Sequence, residues 1–373
     1  MGDGASAVES LGIDAEFWRG RKVLLTGHTG FKGAWLSLWL LQMGARVRGL
    51  ALDPPSSLSL FHLARAGVGL EDLRGDIRDS AIVHSAIADF RPDIVIHLAA
   101  QSLVRPSYSD PVGTYATNVM GTINVLEAVR ATNGIGAVLV VTSDKCYENR
   151  EWDRGYVESD AMGGHDPYSS SKGCAELITS AYRRSYFHHD RHGVALASAR
   201  AGNVIGGGDW AVDRLVPDAI RALLNRAPFV VRSPEAVRPW QHALEPLSGY
   251  LLLVQRLRNE GQRFADGWNF GPDREAERPV RDLAERIVGL WGEGARWEVM
   301  SQAGLPHEAK YLTLNAAKAR QELAWRPRLT LDNALALTVD WYKAFGTGRD
   351  MRPFTQDQIA AYTQMPTVPE MPE

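Results

Sequence analysis

Cysteine is scarce in this chain. Cys146 and Cys174 are the only two among 373 residues, too few for a disulfide framework and not spaced as zinc ligands. Long apolar runs are missing too: none approaches the ~20 residues that a membrane-spanning helix needs. Charge is nearly balanced, with 41 basic and 44 acidic residues and a net charge of −3. That leaves no broad basic footprint for nucleic acid. No internal repeat and no low-complexity block is present. The start, Met1 to Glu16, carries Asp3, Glu9, Asp14 and Glu16 and has no basic segment ahead of an apolar one, unlike a secretory signal. These absences point to a cytoplasmic protein with no membrane and no nucleic-acid partner, and with no metal site.

What is present is an alternation. Lys22–Thr26, Arg46–Leu52, Asp93–Ala99, Ala137–Thr142 and Val194–Arg200 are short runs rich in aliphatic residues, the pattern of buried strands. Between them lie Phe31–Met43, Thr114–Arg130 and Pro167–His188 with helical spacing. Strand and helix in turn predict an α/β fold, a Rossmann-type doubly wound parallel sheet. Residues 1–17 read as a polar lead-in and 18–200 as the dinucleotide-binding domain. Residues 201–345 read mainly as a smaller substrate-binding lobe, with about 240–265 returning to the sheet. The tail, 346–373, with Pro366, Pro369 and Pro372, reads as irregular.

Gly27, Gly30 and Gly33 sit where the first strand meets the first helix, with Phe31 between the last two. Glycines there permit a tight turn, close backbone approach to a pyrophosphate, and close helix–strand packing. The helix N-terminus then faces the phosphate charge. About 20 residues on, Asp53 is placed to bind a ribose 2′-hydroxyl, which favours NAD over NADP. His28 and Lys32 share the loop and are further candidates for cofactor contact. Trp35 and Trp39, four apart on the helix, read as packing.

Tyr168 and Lys172 are four apart, on one face of a helix. A lysine beside a phenol favours the phenolate, so the expectation is a Tyr168 pKa pulled down toward working pH. Ser143, at a strand end, is placed to hydrogen-bond the reacting oxygen. Beside it stand Asp144 and Lys145, an acid and an amine that simple hydride transfer does not need. In a strand they would point to opposite faces. Both reach one substrate only if the strand has already ended. So placed, they suit loss of water from a sugar: once C4 is a ketone the C5 proton is acidic, and an acid can protonate the departing C6 hydroxyl. Lys145 serves either as the C5 base or as the cation that stabilises the enolate.

These motifs resemble the extended short-chain dehydrogenase/reductases, and among them the sugar-nucleotide 4,6-dehydratases, over about residues 18–342. Ser143-Asp144-Lys145, Arg200-Ala-Gly-Asn203 to Trp210, Arg238 to His242 and Pro306 to Tyr311 are similar to the branch that acts on CDP-glucose. The resemblance implies NAD as cofactor, contacted also by Asp76, Ile77, Ala99, Ala100, Gln101 and Asn118. It implies a CDP-glucose substrate held by Asn203, Arg232, Arg238 and Glu308, with His242 a further candidate. It implies Asp144 as the acid at the C6 oxygen, Lys145 in the position of the C5 base and Tyr168 taking the O4 proton. It also implies a homodimer built on the helices 114–130 and 167–188. A sugar-nucleotide 4-epimerase would need Ser143, Tyr168 and Lys172 but neither Asp144 nor Lys145. A 4,6-dehydratase for another nucleotide-sugar is the remaining alternative.

Overall fold

The computed structural model describes residues 12–188, 193–292, 294–300 and 311–368. Its main sheet has seven strands: β1 (Lys22–Thr26), β2 (Arg46–Ala51), β3 (Glu71–Arg74), β4 (Ile94–His97), β5 (Ala137–Val141), β6 (Ala195–Ala201) and an edge strand, Gly267–Phe270. All neighbours pair in parallel. The spatial order is edge strand, β6, β5, β4, β1, β2, β3. The chain winds outward one way from β1 and then restarts on its other side at β4. That switch opens a crevice beyond the carboxyl ends of β1 and β4, where ligands bind in such sheets.

Alternation along each strand divides the core into two layers. Val23, Leu25, Ile96, Leu139 and Ala197 face the layer that holds Trp35 and Trp39, both buried as the packing reading requires. Leu24, Val95, Val138, Val140 and Leu196 face Val83, Ile87, Val125 and Leu126 on the opposite side. Burying each such side chain contributes about 1.5–3 kcal/mol, so both faces are needed. The lead-in ends in a helical turn, Ala15–Trp18, that buries Trp18.

Among the described residues beyond β6 are three two-stranded sheets, 204–205 with 241–242, 229–231 with 297–299, and 237–239 with 277–279. The helix Leu244–Glu260 then returns to pack on β5 and β6, ahead of the edge strand.

The tail departs from expectation. Met351–Gln364 is a helix, capped by Asp350, which accepts from the Arg352 N–H. Its buried face is Met351, Thr355, Gln358, Ile359 and Tyr362. Two of those five are polar, which hides the apolar period. The helix is fastened by Tyr362, whose hydroxyl donates to Glu245 Oε2 at 2.8 Å. Glu245 Oε1 accepts from the backbone N–H of Arg328 at 2.9 Å and of Leu329 at 2.7 Å. Burial raises the Glu245 carboxyl from 4.5 to about 7 despite these donors. The folded chain therefore holds a proton that the unfolded chain has released. The resulting stability is present below about pH 4.5 and is lost as pH rises through about 7, on the order of 3 kcal/mol in all. Glu245→Gln is expected to flatten that slope in urea unfolding measured across the window. An unchanged slope would contradict the assignment.

Candidate active site

β5 ends at Val141, and the next residues turn at once. Ser143 is extended and caps a single 3₁₀ turn, Asp144–Cys146. Successive side chains in such a turn are about 120° apart rather than opposed. Asp144 and Lys145 therefore both line the same cleft, which the sequence left conditional on the strand having ended. The Ser143 hydroxyl donates to Asp144 Oδ1 at 2.8 Å. Asp144 is only 4% exposed, while Lys145 is half-buried. Burial holds the Asp144 carboxyl above the usual carboxylate range, although Lys145, the Ser143 hydroxyl and Arg238 pull the other way. A raised pKa suits a carboxyl to act as an acid.

The helix Pro167–Tyr182 supplies the second wall. Asp166 caps it, accepting from the Ser169 N–H at 2.9 Å, and proline fills its first position, where the missing N–H costs nothing. Tyr168 and Lys172 lie one turn apart, nearly buried, and both line the cleft. The lowered phenol pKa expected from sequence does not form. Burial pushes Tyr168 up to about 12; the Ser143 hydroxyl opposes this and the Asp144 carboxylate adds to it. Lys172 instead is the group that moves down, to about 8, because burial outweighs the attraction of Glu176.

Gly27 has φ +76, and a Cβ there would meet the Ala99 backbone nitrogen at 2.7 Å. A Cβ on Gly33 would come within 2.1 Å of the Gly27 carbonyl oxygen. Any side chain at either position would push the loop off β1 or block the cleft floor. Gly27, Gly30, Phe31 and Gly33 line the cleft with Asp76, Ile77, Ala99 and Ala100. These residues and the N-terminus of the helix Phe31–Gln42 form a trough along the cleft. That trough fits an extended dinucleotide. The whole cleft measures about 960 Å³.

Three expected cofactor contacts fall elsewhere. Asp53 lies two residues beyond β2, its side chain 91% exposed, with Arg74 Nε 3.8 Å away; it is off the cleft wall. Asn118 is buried behind the wall: it accepts from the Gln101 N–H at 2.8 Å and donates to the Gln101 carbonyl and the Ser171 hydroxyl. It shapes the loop rather than touching the cleft. Gln101 turns its side chain to Leu103 and Thr114. Of the two loop candidates, Lys32 lines the cleft, close enough to hydrogen-bond the Tyr250 hydroxyl at 3.4 Å. His28 does not; it is buried on Gly49 and pairs with Asp72 at 2.8 Å.

In the smaller lobe, Asn203, Arg232 and Arg238 line the cleft. Arg232 meets Asp213 at 2.6 Å, and Arg105 reaches the same carboxylate at 3.0 Å. His242 is instead buried against Trp35, accepting from the Leu244 N–H. Glu308 lies outside the described residues. Among the described residues no cluster suits a metal ion. Sequence reading missed Thr29, Thr117, Arg105, Asp213 and Arg214, all on the cleft wall. Asp213, at φ +64, had a signal in the glycine-rich Gly206 to Asp213 stretch; Thr117 had none.

Residues 24–338 match the model of a family described as GDP-mannose 4,6 dehydratase. The chain is 52% identical over 358 residues to the CDP-glucose 4,6-dehydratase of Salmonella typhimurium, covering 95% of this chain and 99% of that one. It is 30% identical over 336 residues to the dTDP-glucose 4,6-dehydratase of Streptomyces antibioticus, covering 86% and 92%. Among solved structures, the UDP-glucose 4-epimerase of Thermus thermophilus in complex with NAD superposes with a TM-score of 0.74 at 25% identity, over 86% of this chain and 99% of that one. The dTDP-glucose 4,6-dehydratase of Streptomyces venezuelae, with NAD bound, shares the fold at a TM-score of 0.73 and 24% identity, over 88% and 99%. An acid and an amine beside a Tyr/Lys pair, on a doubly wound sheet matched along nearly its whole length, place the chain in the GDP-mannose 4,6-dehydratase family, the sugar-nucleotide 4,6-dehydratases of the extended short-chain dehydrogenase/reductases.

Proposed function

We propose that this chain converts CDP-D-glucose to CDP-4-dehydro-6-deoxy-D-glucose and water, with NAD as its cofactor. The observation that carries the reading is the 3₁₀ turn that turns Asp144 and Lys145 into one cleft beside Ser143 and Tyr168. The 52% identity to a CDP-glucose 4,6-dehydratase supports the choice of nucleotide.

The residues that would hold the cofactor are Gly27, Gly30, Phe31 and Gly33 at the pyrophosphate, Asp76, Ile77, Ala99 and Ala100 along the trough, and Lys172 with Tyr168 at its reactive end. When bound, NAD supplies a reversible hydride acceptor and a positive charge in the cleft. Tyr168 takes the proton from the sugar O4 while Ser143 holds that oxygen. With a ketone at C4, Lys145 removes the C5 proton. Asp144 gives its proton to the C6 oxygen, which leaves as water, and the hydride taken from C4 would then return to C6 while Lys145 gives a proton back to C5, so no net redox change remains. Arg232 and Arg238 bind the diphosphate, for which the planar guanidinium is suited, and Asn203 binds the nucleotide-sugar beside them.

The test is direct. Mixed separately with CDP-, dTDP-, GDP- and UDP-glucose and then with alkali, the protein should give the near-ultraviolet absorbance of a 4-keto-6-deoxy sugar, most strongly with CDP-glucose. No absorbance with any of the four contradicts the reading, and an epimerase would give none. A second prediction concerns Lys145. Lys145→Ala should abolish solvent deuterium uptake at C5, read by NMR in D₂O; uptake at the normal rate would remove Lys145 from the C5 proton.

We also infer a cytoplasmic homodimer. Tyr115, Met120, Leu177 and Tyr186 stand exposed on the helical segments 111–130 and 167–187, an apolar face suited to a second copy. A monomer in equilibrium sedimentation at micromolar concentration would count against it.

A further inference from the structure

Behind the turn that carries Ser143, Asp144 and Lys145 lies a buried ion pair with no place in the steps above. Glu176 and Arg200 are each about 4% exposed, and Arg200 Nη2 donates to Glu176 Oε2 at 2.7 Å. Glu176 sits on the catalytic helix, four residues past Lys172, and Arg200 sits near the end of β6. Two of the pair's other contacts fall on the two ends of the turn. At its start, the Thr142 hydroxyl donates to Glu176 Oε1. At its end, Arg200 Nη1 donates to the Tyr147 hydroxyl at 2.6 Å. Ser198 completes the carboxylate, donating to Oε2 at 2.7 Å. The Tyr147 hydroxyl in turn donates to Asn269 Oδ1 at 2.8 Å, so the chain of bonds runs from the catalytic helix to the edge strand.

We propose that Glu176 and Arg200 are positioning residues for the dehydration: one pair clamps both ends of the 142–147 turn and sets the charge that Lys172 carries. The proposal rests on the dehydration reading for its kinetic part only. Lys172 is faced by Glu176 from its own helix, by Cys146 from the turn, by His97 from β4 and by Lys32 from the helix Phe31–Gln42. Of these, Glu176 is the carboxylate. Burial works against its charge, but Arg200 and the hydroxyls of Thr142 and Ser198 overcome this and keep it ionised. Arg183 faces the pair from the end of the same helix. An anion fixed one turn from a buried ammonium holds the proton on it. Without that anion, Lys172 would become a neutral amine at lower pH.

The decisive variant is Glu176→Gln, which keeps the shape and an oxygen for Thr142 but removes the charge. Its first readout needs no substrate. Competitive acetylation of the full-length protein by acetic anhydride, read at Lys172 by mass spectrometry across pH, measures the fraction of free amine. The wild-type midpoint should fall at about 8. The variant's midpoint should fall lower, with Lys172 labelled roughly fivefold faster at pH 7 for a one-unit drop. The second readout is turnover of CDP-glucose: kcat should drop about 10- to 100-fold with KM within about threefold, since the substrate contacts are untouched. Glu176→Asp, which restores the charge, should return the labelling midpoint toward wild type.

Should Glu176→Gln not fold, Thr142→Val cuts the clamp alone; kcat should fall while Lys172 labelling stays as in wild type. Wild-type labelling in a folded Glu176→Gln, or unchanged kcat in both variants, overturns the proposal. If the wild-type protein leaves CDP-glucose unchanged while the labelling shift appears, the dehydration reading fails and the control of Lys172 stands.

Discussion

Tyr168→Phe is expected to lower kcat for CDP-glucose by about a thousandfold, the middle of the range that a general base contributes. The change removes one oxygen and nothing else from the wall. Tyr168 is nearly buried, with the Ser143 hydroxyl beside its phenol. Its phenol is pushed up to about 12 by burial, with the Asp144 carboxylate adding to the effect. A base whose pKa lies that high is protonated at neutral pH, so the wild-type rate should climb with pH until another group titrates. The phenylalanine variant should lose that climb with most of its rate. Its thermal midpoint should stay close to wild type, because one hydrogen bond is worth about 1 kcal/mol. Turnover within tenfold of wild type would show that another group takes the O4 proton.

The second large effect is expected from Asp144→Asn. An amide keeps the shape and can still accept from Ser143, but it has no acidic proton for the C6 oxygen. Loss of such a proton donor costs about 10²- to 10³-fold in kcat, with KM little changed because Asp144 is placed for the leaving group. The pH profile gives a sharper test. Burial holds the Asp144 carboxyl above its ordinary range, and the acid works only while protonated. The climb set by Tyr168 therefore levels off as pH rises through that raised pKa, a break that belongs to Asp144. In the asparagine variant the break should vanish. A variant that keeps both the rate and the break would take Asp144 out of the mechanism.

The parts of this site that were readable in sequence are those fixed by backbone geometry. Gly27, Gly30 and Gly33 are confined by contacts that no side chain satisfies, and Tyr168 and Lys172 are brought together by helical spacing alone. β5 and β1 are buried throughout or nearly so, and their aliphatic runs say so. β3 is different: Glu71-Asp72-Leu73-Arg74 is exposed at every position of a sheet edge, so no apolar pattern marks it. The helix Met351–Gln364 was hidden because Thr355 and Gln358 are buried beside Ile359 and Tyr362.

Side-chain direction was the less legible part. Asp53 has the spacing of a ribose ligand yet points to solvent. His28 lies in the glycine loop yet turns inward, because Gly49 leaves room for its ring. The pull of Lys172 on Tyr168 was inferred from their spacing, but burial acts on both groups and raises one while lowering the other. Glu176 stood at i+4 from Lys172 in plain sight, the spacing of an ion pair on one helix face. Its partner Arg200 is set by the pairing of β5 with β6, which the helix pattern does not contain.

The most direct measurement is the fate of hydrogen when CDP-glucose is turned over in D₂O and the product is read by NMR. With an acid and an amine both facing the sugar, the product should be CDP-4-dehydro-6-deoxy-D-glucose carrying one solvent deuterium at C5 and a methyl group at C6. A product that keeps its C6 hydroxyl and its original C5 hydrogen, altered only in the configuration at C4, would contradict the account.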